Sequence, residues 1–343
     1  MKFDFICGNP PYQMDVEDSE NKGFAPPVYH MFMDEAYGIS DHVVLIHPAR
    51  FLFNAGSTPK EWNKKILADP HFKVLHFEHD ASTFFKNTEI KGGIAITYHD
   101  MDKDFGAIGT FVPHDELRSI AKKVAANDRF EPLSSIMENQ TKFNLEAMYA
   151  DHPRLRKVIG SNGRDRRFRN NIFDKVDLFK DKPTQKECIR VLGVVSNKRV
   201  WKFFPRDYVD AEGTCLDSWK VLVARVNGAG VLGEVLSTPV VAGPGEGFTQ
   251  TFIAIGSFST KEEAENALKY VKTKFARTLL SILKITQDNS IEVWAPIPIQ
   301  DFTNRGDIDW TGPVAEVDRQ LYEKYDLTDK EVAFIENNVK GMA

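Results

Sequence analysis

Short apolar runs alternate with amphipathic stretches over the first hundred residues. "FDFIC" (3–7) reads as a short buried strand. "PPVYHMFMDEAYG" (26–38) spaces its apolar residues at helical intervals, which predicts a helix with prolines at its start and Gly38 at its end. "HVVLIHP" (42–48) is a second strand, closed by Pro48. "TPKEWNKKILAD" (58–69) predicts an amphipathic helix with Thr58 as its cap and Pro59 in its first turn. "FKVLHFE" (72–78) and "GGIAITYH" (92–99) complete the set as third and fourth strands. Strand, helix, strand, helix, strand is the pattern of a parallel sheet flanked by helices.

The rhythm then changes. Residues 114–126 read as a helix, and residues 127–185 are polar and irregular with a dense basic run. From 188 to 256 the chain is β-rich: "CIRVLGVV", "RVWKFF", "SWKVLVARV" and "FTQTFIAIGSF" stand between Gly-rich turns. One long helix is expected over "TKEEAENALKYVKTKFARTLLSILK" (260–284), opened by a capping box of Thr260 and Glu263. "DKEVAFIENNV" (329–339) predicts a last helix. The domain boundary is placed near 108, giving units 1–108 and 109–343. No repeat or low-complexity segment is found.

Composition changes this picture little. Hydrophobic residues make up 42% and charged residues 27% of 343, as in an ordinary globular protein with room for two domains. With a net charge of -5, any nucleic-acid-binding surface has to be local. Cys7, Cys188 and Cys215 lack metal-ligand spacing and read as reduced thiols of a cytoplasmic protein. No metal site, secretory leader or membrane span is expected.

The chemistry lies in "CGNPPYQ" (7–13). Two prolines stop a strand and stiffen the backbone beyond it. In open parallel sheets, ligands bind at the carboxyl ends of strands. An exocyclic amine on an aromatic ring is a poor nucleophile, because its lone pair is delocalised. Two acceptors aimed at its N–H groups draw it towards tetrahedral geometry. The Asn9 side chain and a proline carbonyl are two such acceptors, and an aromatic ring can clamp the base by stacking. Asn9, Pro10, Pro11 and Tyr12 supply that set.

"NPPY" after an apolar strand resembles the catalytic motif of the amino-methyltransferases that use S-adenosylmethionine. The resemblance implies that Asn9 and the Pro10 carbonyl hold the target amine while Tyr12 stacks on a flipped adenine. "VYHMFMDEAYG" and "HPARFL" are similar to the following helix and strand of adenine DNA methyltransferases. Phe32, with Pro48, would line the cofactor's adenine pocket. "FKNTEIKGGIAITY" resembles a later motif of the family, which makes Phe85 the second wall of the base pocket and Phe84 its rival. The family often has proline where this chain has Lys86. Together with "NPPYQ", "HPARFLFNAGSTPKEWN" and the stretch from "GSFSTKEEAENALKYVKTKFARTLL" to "DIDWTGPVAEVDRQLYEKYDLTDKEVAFIE", these resemble adenine-specific methylases of type II restriction–modification systems.

In that family a Gly-rich turn and an acidic residue for the cofactor's ribose precede NPPY, and NPPY here begins at residue 9. "VNGAGVLGEV" (226–235) has glycines but no helix start after it, and it reads as a β-turn. Most of the S-adenosylmethionine site is therefore expected outside this chain. The chain is a fragment, a degenerate gene product or a subunit whose partner brings the other half. In "RLRKVIGSNGRDRRFRNNIF" the cations Arg154, Arg156, Lys157, Arg164, Arg166, Arg167 and Arg169 face Asp165 alone, with Phe168 and Asn170 among them. Arginine forks suit phosphates and guanine edges, so this segment is the candidate surface for double-stranded DNA.

Rival readings are a specificity subunit without methyl transfer, a restriction endonuclease component, and a protein or RNA methyltransferase. Asp217 and Lys220 miss the spacing of a metal-dependent nuclease. The expected fold is α/β: a partial methyltransferase (Rossmann-like) parallel sheet, then a mixed α/β target-recognition domain.

Overall fold

The structure, a computed structural model, describes residues 2–14, 25–86, 90–160 and 166–342. The chain divides into two compact units, the first ending at Asp115 and the second beginning at Glu116. It is a mixed α/β protein with several sheets. No helix among the described residues is long and apolar enough to cross a membrane.

The first unit consists of β1 (Ile6–Gly8), α1 (Tyr29–Ile39), β2 (His42–Pro48), α2 (Lys60–Ala68), β3 (Phe72–Glu78) and β4 (Ile94–Asp100). They form one sheet of order β1-β2-β4-β3. β1 pairs parallel with β2, in the register Ile6–Val43, Cys7–Val44, Gly8–Leu45. β4 is antiparallel to both β2 and β3. So β1, β2 and β3 run one way and β4 is reversed between two of them, which corrects the all-parallel expectation. The reason is connectivity. α1 provides the crossover that a parallel pair needs, whereas β3 passes to β4 with no α-helix between them and meets it as an antiparallel neighbour.

The core of this unit joins Tyr29, Met33 and Ala36 of α1 to Trp62, Ile66 and Leu67 of α2 across Val43, Leu45, Phe51 and Phe72. β1 is not the buried strand expected. Ile6 is half-buried, Cys7 and Gly8 are exposed, and Phe3 and Phe5 are 48% and 53% exposed. Among the described residues of this unit β1 has a partner on one edge only.

Local chemistry corrects two helix ends. α1 runs through Gly38 to Ile39 and is closed at Ser40, whose N–H donates to the Ala36 carbonyl. Thr58 does not cap α2. The N-cap position is Pro59, and Thr58 Oγ1 instead donates to buried Asn63 Oδ1 at 2.7 Å. Asn63 Nδ2 then reaches Asn54 Oδ1 at 3.1 Å, so a partly buried polar chain ties the loop to the helix.

α3 (Asp115–Ala125) starts on the last residue of the first unit and leads into the second, which continues with β5 (Met137–Glu138), β6 (Lys142–Phe143), α4 (Leu145–Asp151) and α5 (Ile172–Lys175). The β-rich stretch comes next: β7 (Cys188–Val195), β8 (Lys198–Pro205), β9 (Val209–Asp210), β10 (Trp219–Ala224), β11 (Val240–Ala242), β12 (Glu246–Phe248) and β13 (Phe252–Phe258). They form sheets of order β11-β10-β13-β5 and β12-β7-β8, with β6 and β9 as a short pair. β7 and β8 form a hairpin whose turn residues Ser196 and Asn197 have φ of 48° and 61°, the left-handed pair that suits strand twist. Phe143, Phe168, Phe179 and Phe204 build an aromatic core, with Phe179 stacked on Phe204 at 4.4 Å.

The long helix expected over 260–284 is two helices, α6 (Lys261–Lys272) and α7 (Lys274–Leu280). The predicted capping box at Thr260 and Glu263 is present. The break falls at Thr273, whose side chain accepts from the Ala276 N–H. Asp318 of α8 (Val314–Lys324) accepts from the Lys274 and Phe275 N–H groups at 3.0 and 2.9 Å. A second helix start is thereby satisfied within what periodicity alone reads as one helix. α9 (Asp329–Asn338) closes the chain with a capping box of Thr328 and Glu331.

Gly93, just before β4, has φ of +77°, and a Cβ there would lie 2.3 Å from the Glu78 carbonyl oxygen. Gly106 has the same φ with nothing within 4 Å. Gly106→Ala is expected to destabilise the first unit by about 1 kcal/mol, the left-handed backbone cost alone. Gly93→Ala adds a collision with backbone and is expected to cost about 3 kcal/mol or more. Urea unfolding of the two variants checks this, and equal losses would refute the steric account.

Candidate active site and basic surface

The carboxyl ends of β1, β2 and β3 lie on one edge of the first unit's sheet. Asn9 follows Gly8 at the end of β1, Arg50 follows β2, and Phe84 and Phe85 follow β3. α1 leaves from β1 and returns to the start of β2, so its first turn, with Phe32, begins at that same edge. Tyr29 confirms this placement by stacking on His47 near the end of β2, with ring centroids 5.7 Å apart. The sequence-predicted catalytic, stacking and cofactor residues thus all belong to one edge.

Backbone bonds anchor the NPPY segment. The Val28 N–H donates to the Tyr12 carbonyl at 3.1 Å, and the Met14 N–H to Pro26 O at 3.0 Å. Asn9 is exposed, and the Pro10 carbonyl accepts no backbone hydrogen bond among the described residues. Both acceptors are therefore open. Burial raises the Tyr12 phenol, and Asn9 beside it partly offsets the rise. No hydrogen bond of normal geometry joins the two, and the Tyr12 hydroxyl oxygen is buried without a partner. Of seven such orphaned atoms among the described residues, Tyr12 Oη, His30 Nδ1 and Arg50 Nε belong to segments that start from this edge. Buried polar atoms are rarely left unpaired, and these three belong to segments that meet at this edge.

The aromatic candidates differ in exposure. Phe32 is 47% exposed and so is not an ordinary core aromatic. Pro48 is half-buried at the end of β2, opposite Ile94. Phe84 is 45% exposed and lies 5.6 Å from His76, ring to ring, while Phe85 is half-buried with its N–H on the Ala81 carbonyl. Residues 87–89 of the "FKNTEIKGG" motif lie outside the described residues.

Two cations at this edge, Arg50 and Lys60, were not singled out from the sequence. The available signal was a lone arginine inside the apolar stretch "HPARFLF". Among the described residues, one histidine–carboxylate group could hold a cation: His42, Asp100 and Asp102. It lies at the opposite edge, where β2 begins. Its carboxylates face different imidazole nitrogens, each at 3.3 Å, and Asp100 is already held by Tyr98 and Lys103.

The basic run is dispersed. Arg154 pairs with Asp177 at 2.6 Å, and Arg156 lies over the Tyr149 ring at 4.7 Å. Arg166 is held by Phe143 O at 3.1 Å and by Asp210. Phe168 does not face solvent as its neighbours suggested; it is fully buried, 4.5 Å from Phe143. Lys157 and Arg167 are exposed, Arg169 is half-buried, and Arg164 lies outside the described residues. Arg167 lines a cleft of about 370 Å³ with Lys142, Glu138, Gln140 and Glu212.

Two other sequence candidates are structural. The 226–235 stretch is a folded loop and not a simple β-turn. Glu234 Oε2 accepts from the Ala229 and Gly230 N–H groups at 2.8 and 3.0 Å, and Lys284 pairs with Oε1. The loop's own carboxylate occupies the place a phosphate would take. Lys220 is buried and donates to the carbonyls of Cys215, Leu216, Ser218 and Gly243 at 2.8–3.1 Å, while Asp217 is forked by Arg206. No nuclease pair forms there.

His47 is fully buried between Thr97 and the Pro48 carbonyl. Pro48 O can only accept, so Nδ1 carries the proton and Nε2 accepts from Thr97. Burial pushes His47 down to about 4 and Tyr29 up to about 12. Between about pH 4 and 6.5 the unfolded chain therefore binds the extra proton. The stability that neutral His47 contributes is complete above pH 6.5 and lost as pH falls towards 4. The first unit is expected to lose about 2 kcal/mol between about pH 7 and 5 through this group. Hydrogen exchange of β2 and β4 in wild type and His47→Gln checks this: the variant flattens the loss, and an unchanged slope would refute it.

Residues 1–85 match the family described as Eco57I restriction-modification methylase. A Mycoplasma pneumoniae protein named "Uncharacterized adenine-specific methylase" is 30% identical over 95 residues, covering 27% of this chain and 22% of that protein. Two solved structures are also similar. The type IIL restriction-modification enzyme MmeI in complex with DNA has 9% identity and a TM-score of 0.39, over 98% of this chain and 56% of its own. The type IIG restriction endonuclease BpuSI has 9% identity and a TM-score of 0.34, over 89% and 44%. The chain thus spans about a fifth of the curated relative and about half of each solved chain.

Proposed function

We propose that this chain is the catalytic half and DNA-reading region of an adenine-specific DNA methyltransferase of a type II restriction–modification system. The observation that carries the reading is the NPPY segment itself. It presents an exposed Asn9 amide and a Pro10 carbonyl that accepts no backbone hydrogen bond among the described residues, at the carboxyl edge of the sheet and within the residues that match the methylase family.

A flipped adenine would stack on Tyr12, with Phe85 or Phe84 as the second wall. Its amine would donate one N–H to Asn9 Oδ1 and the other to Pro10 O. That pair of bonds pulls the nitrogen lone pair out of the ring and towards an incoming methyl group. S-adenosylmethionine, when bound, supplies that methyl group. Phe32 and Pro48 fit its adenine as an apolar wall. The Gly-rich loop at 226–235 does not offer a place for its charged end, because Glu234 fills it. The remaining contacts would come from another polypeptide segment, either a partner subunit or a further part of a longer protein. The singly paired edge of β1, with exposed Phe3 and Phe5, supports this division. On this reading residues 1–108 are the catalytic half and 109–343 recognise double-stranded DNA. The bonds of Asp217 and Lys220 favour this reading over a nuclease.

Calorimetric titration of the purified chain with S-adenosylmethionine is expected to show no micromolar binding. With the complementing half supplied, Asn9→Ala should abolish methyl transfer and leave DNA affinity nearly unchanged. Micromolar cofactor binding by the chain alone would overturn the half-site, and loss of both activities together would overturn the role of Asn9.

For DNA, Lys157→Ala and Arg167→Ala are each expected to lower the slope of log K against log salt by about one. Arg166→Ala should lower thermal stability instead, because its guanidinium is held within the fold. Anisotropy and melting curves on the three variants separate these effects. Unchanged slopes for both Lys157→Ala and Arg167→Ala would remove the loop from the interface.

A further inference from the structure

We infer that Arg50, with Lys60 beside it, forms an anion site at the catalytic edge, and that its ligand is a phosphodiester flanking the flipped nucleotide. The inference rests on the methyltransferase reading and deepens it.

The first observation is an arginine without a partner. Among the described residues, Arg50 makes no hydrogen bond or ion pair, although it is half-buried and its Nε is shielded from water. Most arginines and lysines in buried or half-buried positions of this chain are matched: Arg166 by Asp210, Lys284 by Glu234, Lys220 by four carbonyls. A shielded guanidinium N–H with no acceptor carries a desolvation cost that a bound acceptor would remove.

The second observation is that the surrounding backbone is shaped to this side chain. A Cβ on Gly92 would lie 2.5 Å from Arg50 Cγ, and one on Gly56 would lie 3.3 Å from Arg50 Cβ. Both glycines have positive φ, +86° and +82°. Two loops from separate parts of the sequence therefore close on the arginine stem and hold it in one track. A held stem presents its guanidinium with little entropy left to lose on binding.

The third observation is charge. Lys60 is close enough to feel the charge of Arg50, and its ammonium is lowered by burial first and by Arg50 second. Its one hydrogen bond goes to the Asn54 carbonyl, and neither cation meets a carboxylate among the described residues. Tyr29 is also nearby, but burial holds its phenol protonated, so it offers no negative charge. Two unmatched cations at the edge that carries Asn9 and Tyr12 make a local field that an anion would satisfy.

Two anions could come to this edge: a DNA phosphate, or the carboxylate of the cofactor's methionine end. The guanidinium fork suits both, but a base drawn out of its stack brings its own flanking phosphates to the pocket rim. The phosphodiester is therefore assigned.

The test uses the full chain. Binding to a random-sequence duplex is followed by anisotropy from roughly 50 to 200 mM salt. Arg50→Ala is expected to lower the salt slope by about one and to weaken binding about tenfold at the low-salt end. Arg50→Lys keeps the charge and should keep the slope while losing part of the affinity. Arg50→Gln, close in shape and neutral, should copy the alanine variant, and it carries the test if the alanine variant does not fold. A wild-type slope in both neutral variants overturns the phosphate site. S-adenosylmethionine binding that is lost in Arg50→Gln with the DNA slope unchanged would also overturn it, assigning the anion to the cofactor's carboxylate. Absence of any DNA binding by the wild-type chain would overturn the DNA-methylase reading itself, and the inference with it.

Discussion

Three residue pairs, Ile6 with Val43, Cys7 with Val44 and Gly8 with Leu45, determine where the NPPY segment stands. β1 is too short to be held by its own burial, and among the described residues of its unit it has β2 alone as a neighbour. A slip of one residue would turn each β1 side chain to the other face and shift Asn9 along the edge. The register is defended from the far side. Tyr29 stacks on His47, and His47 is locked by Thr97 and Pro48, so the crossover helix and the two strands are joined through one neutral imidazole. The Tyr12–Val28 bond then returns the loop to the start of that helix. The placement of the NPPY segment is a consequence of strand register, reinforced by packing one layer away.

In the second unit the competition is between solvent and core for the same short stretch of sequence. "RRFRN" (166–170) looks uniformly outward-facing. Yet Phe168 fills the aromatic core, and its N–H and C=O bond Thr141 O and the Gln250 N–H at 2.9 and 2.8 Å. That anchoring fixes the backbone on which Arg167 is displayed. Arg166, on the other flank, is drawn back to Asp210. A charged segment can therefore be half scaffold and half surface, with alternate residues serving each.

Much of the fold was legible because its signals are local. Apolar runs marked β2, β3 and β4 almost to the residue, and side-chain spacing located the capping box of α6, although not the second one, at Thr328 and Glu331. The misreadings share a different cause, since each depends on a partner distant in sequence. β4 reverses because of how β3 reaches it. The helix over 260–284 breaks because Asp318 supplies acceptors for a new start. Thr58 leaves its cap for Asn63. The candidate site was readable to the extent that chemistry is encoded in adjacent residues, as in Asn9 to Tyr12. Arg50 and Lys60 were missed because what distinguishes them is a missing counter-charge, and a missing contact leaves no trace in sequence.

The prolines of the opening motif have a second consequence, for behaviour in solution. An apolar strand with an open edge is a template for pairing with another copy, and natural sheets protect such edges by shortening them or by placing prolines there. From Phe5 to Gly8 the strand carries no charge that could repel a neighbour. Pro10 and Pro11 come directly after Asn9, and neither has an N–H to donate. Any ladder growing along this edge would run out of donors past Asn9. The same two residues proposed to aim a carbonyl at a substrate therefore also disfavour edge-to-edge pairing of the chain.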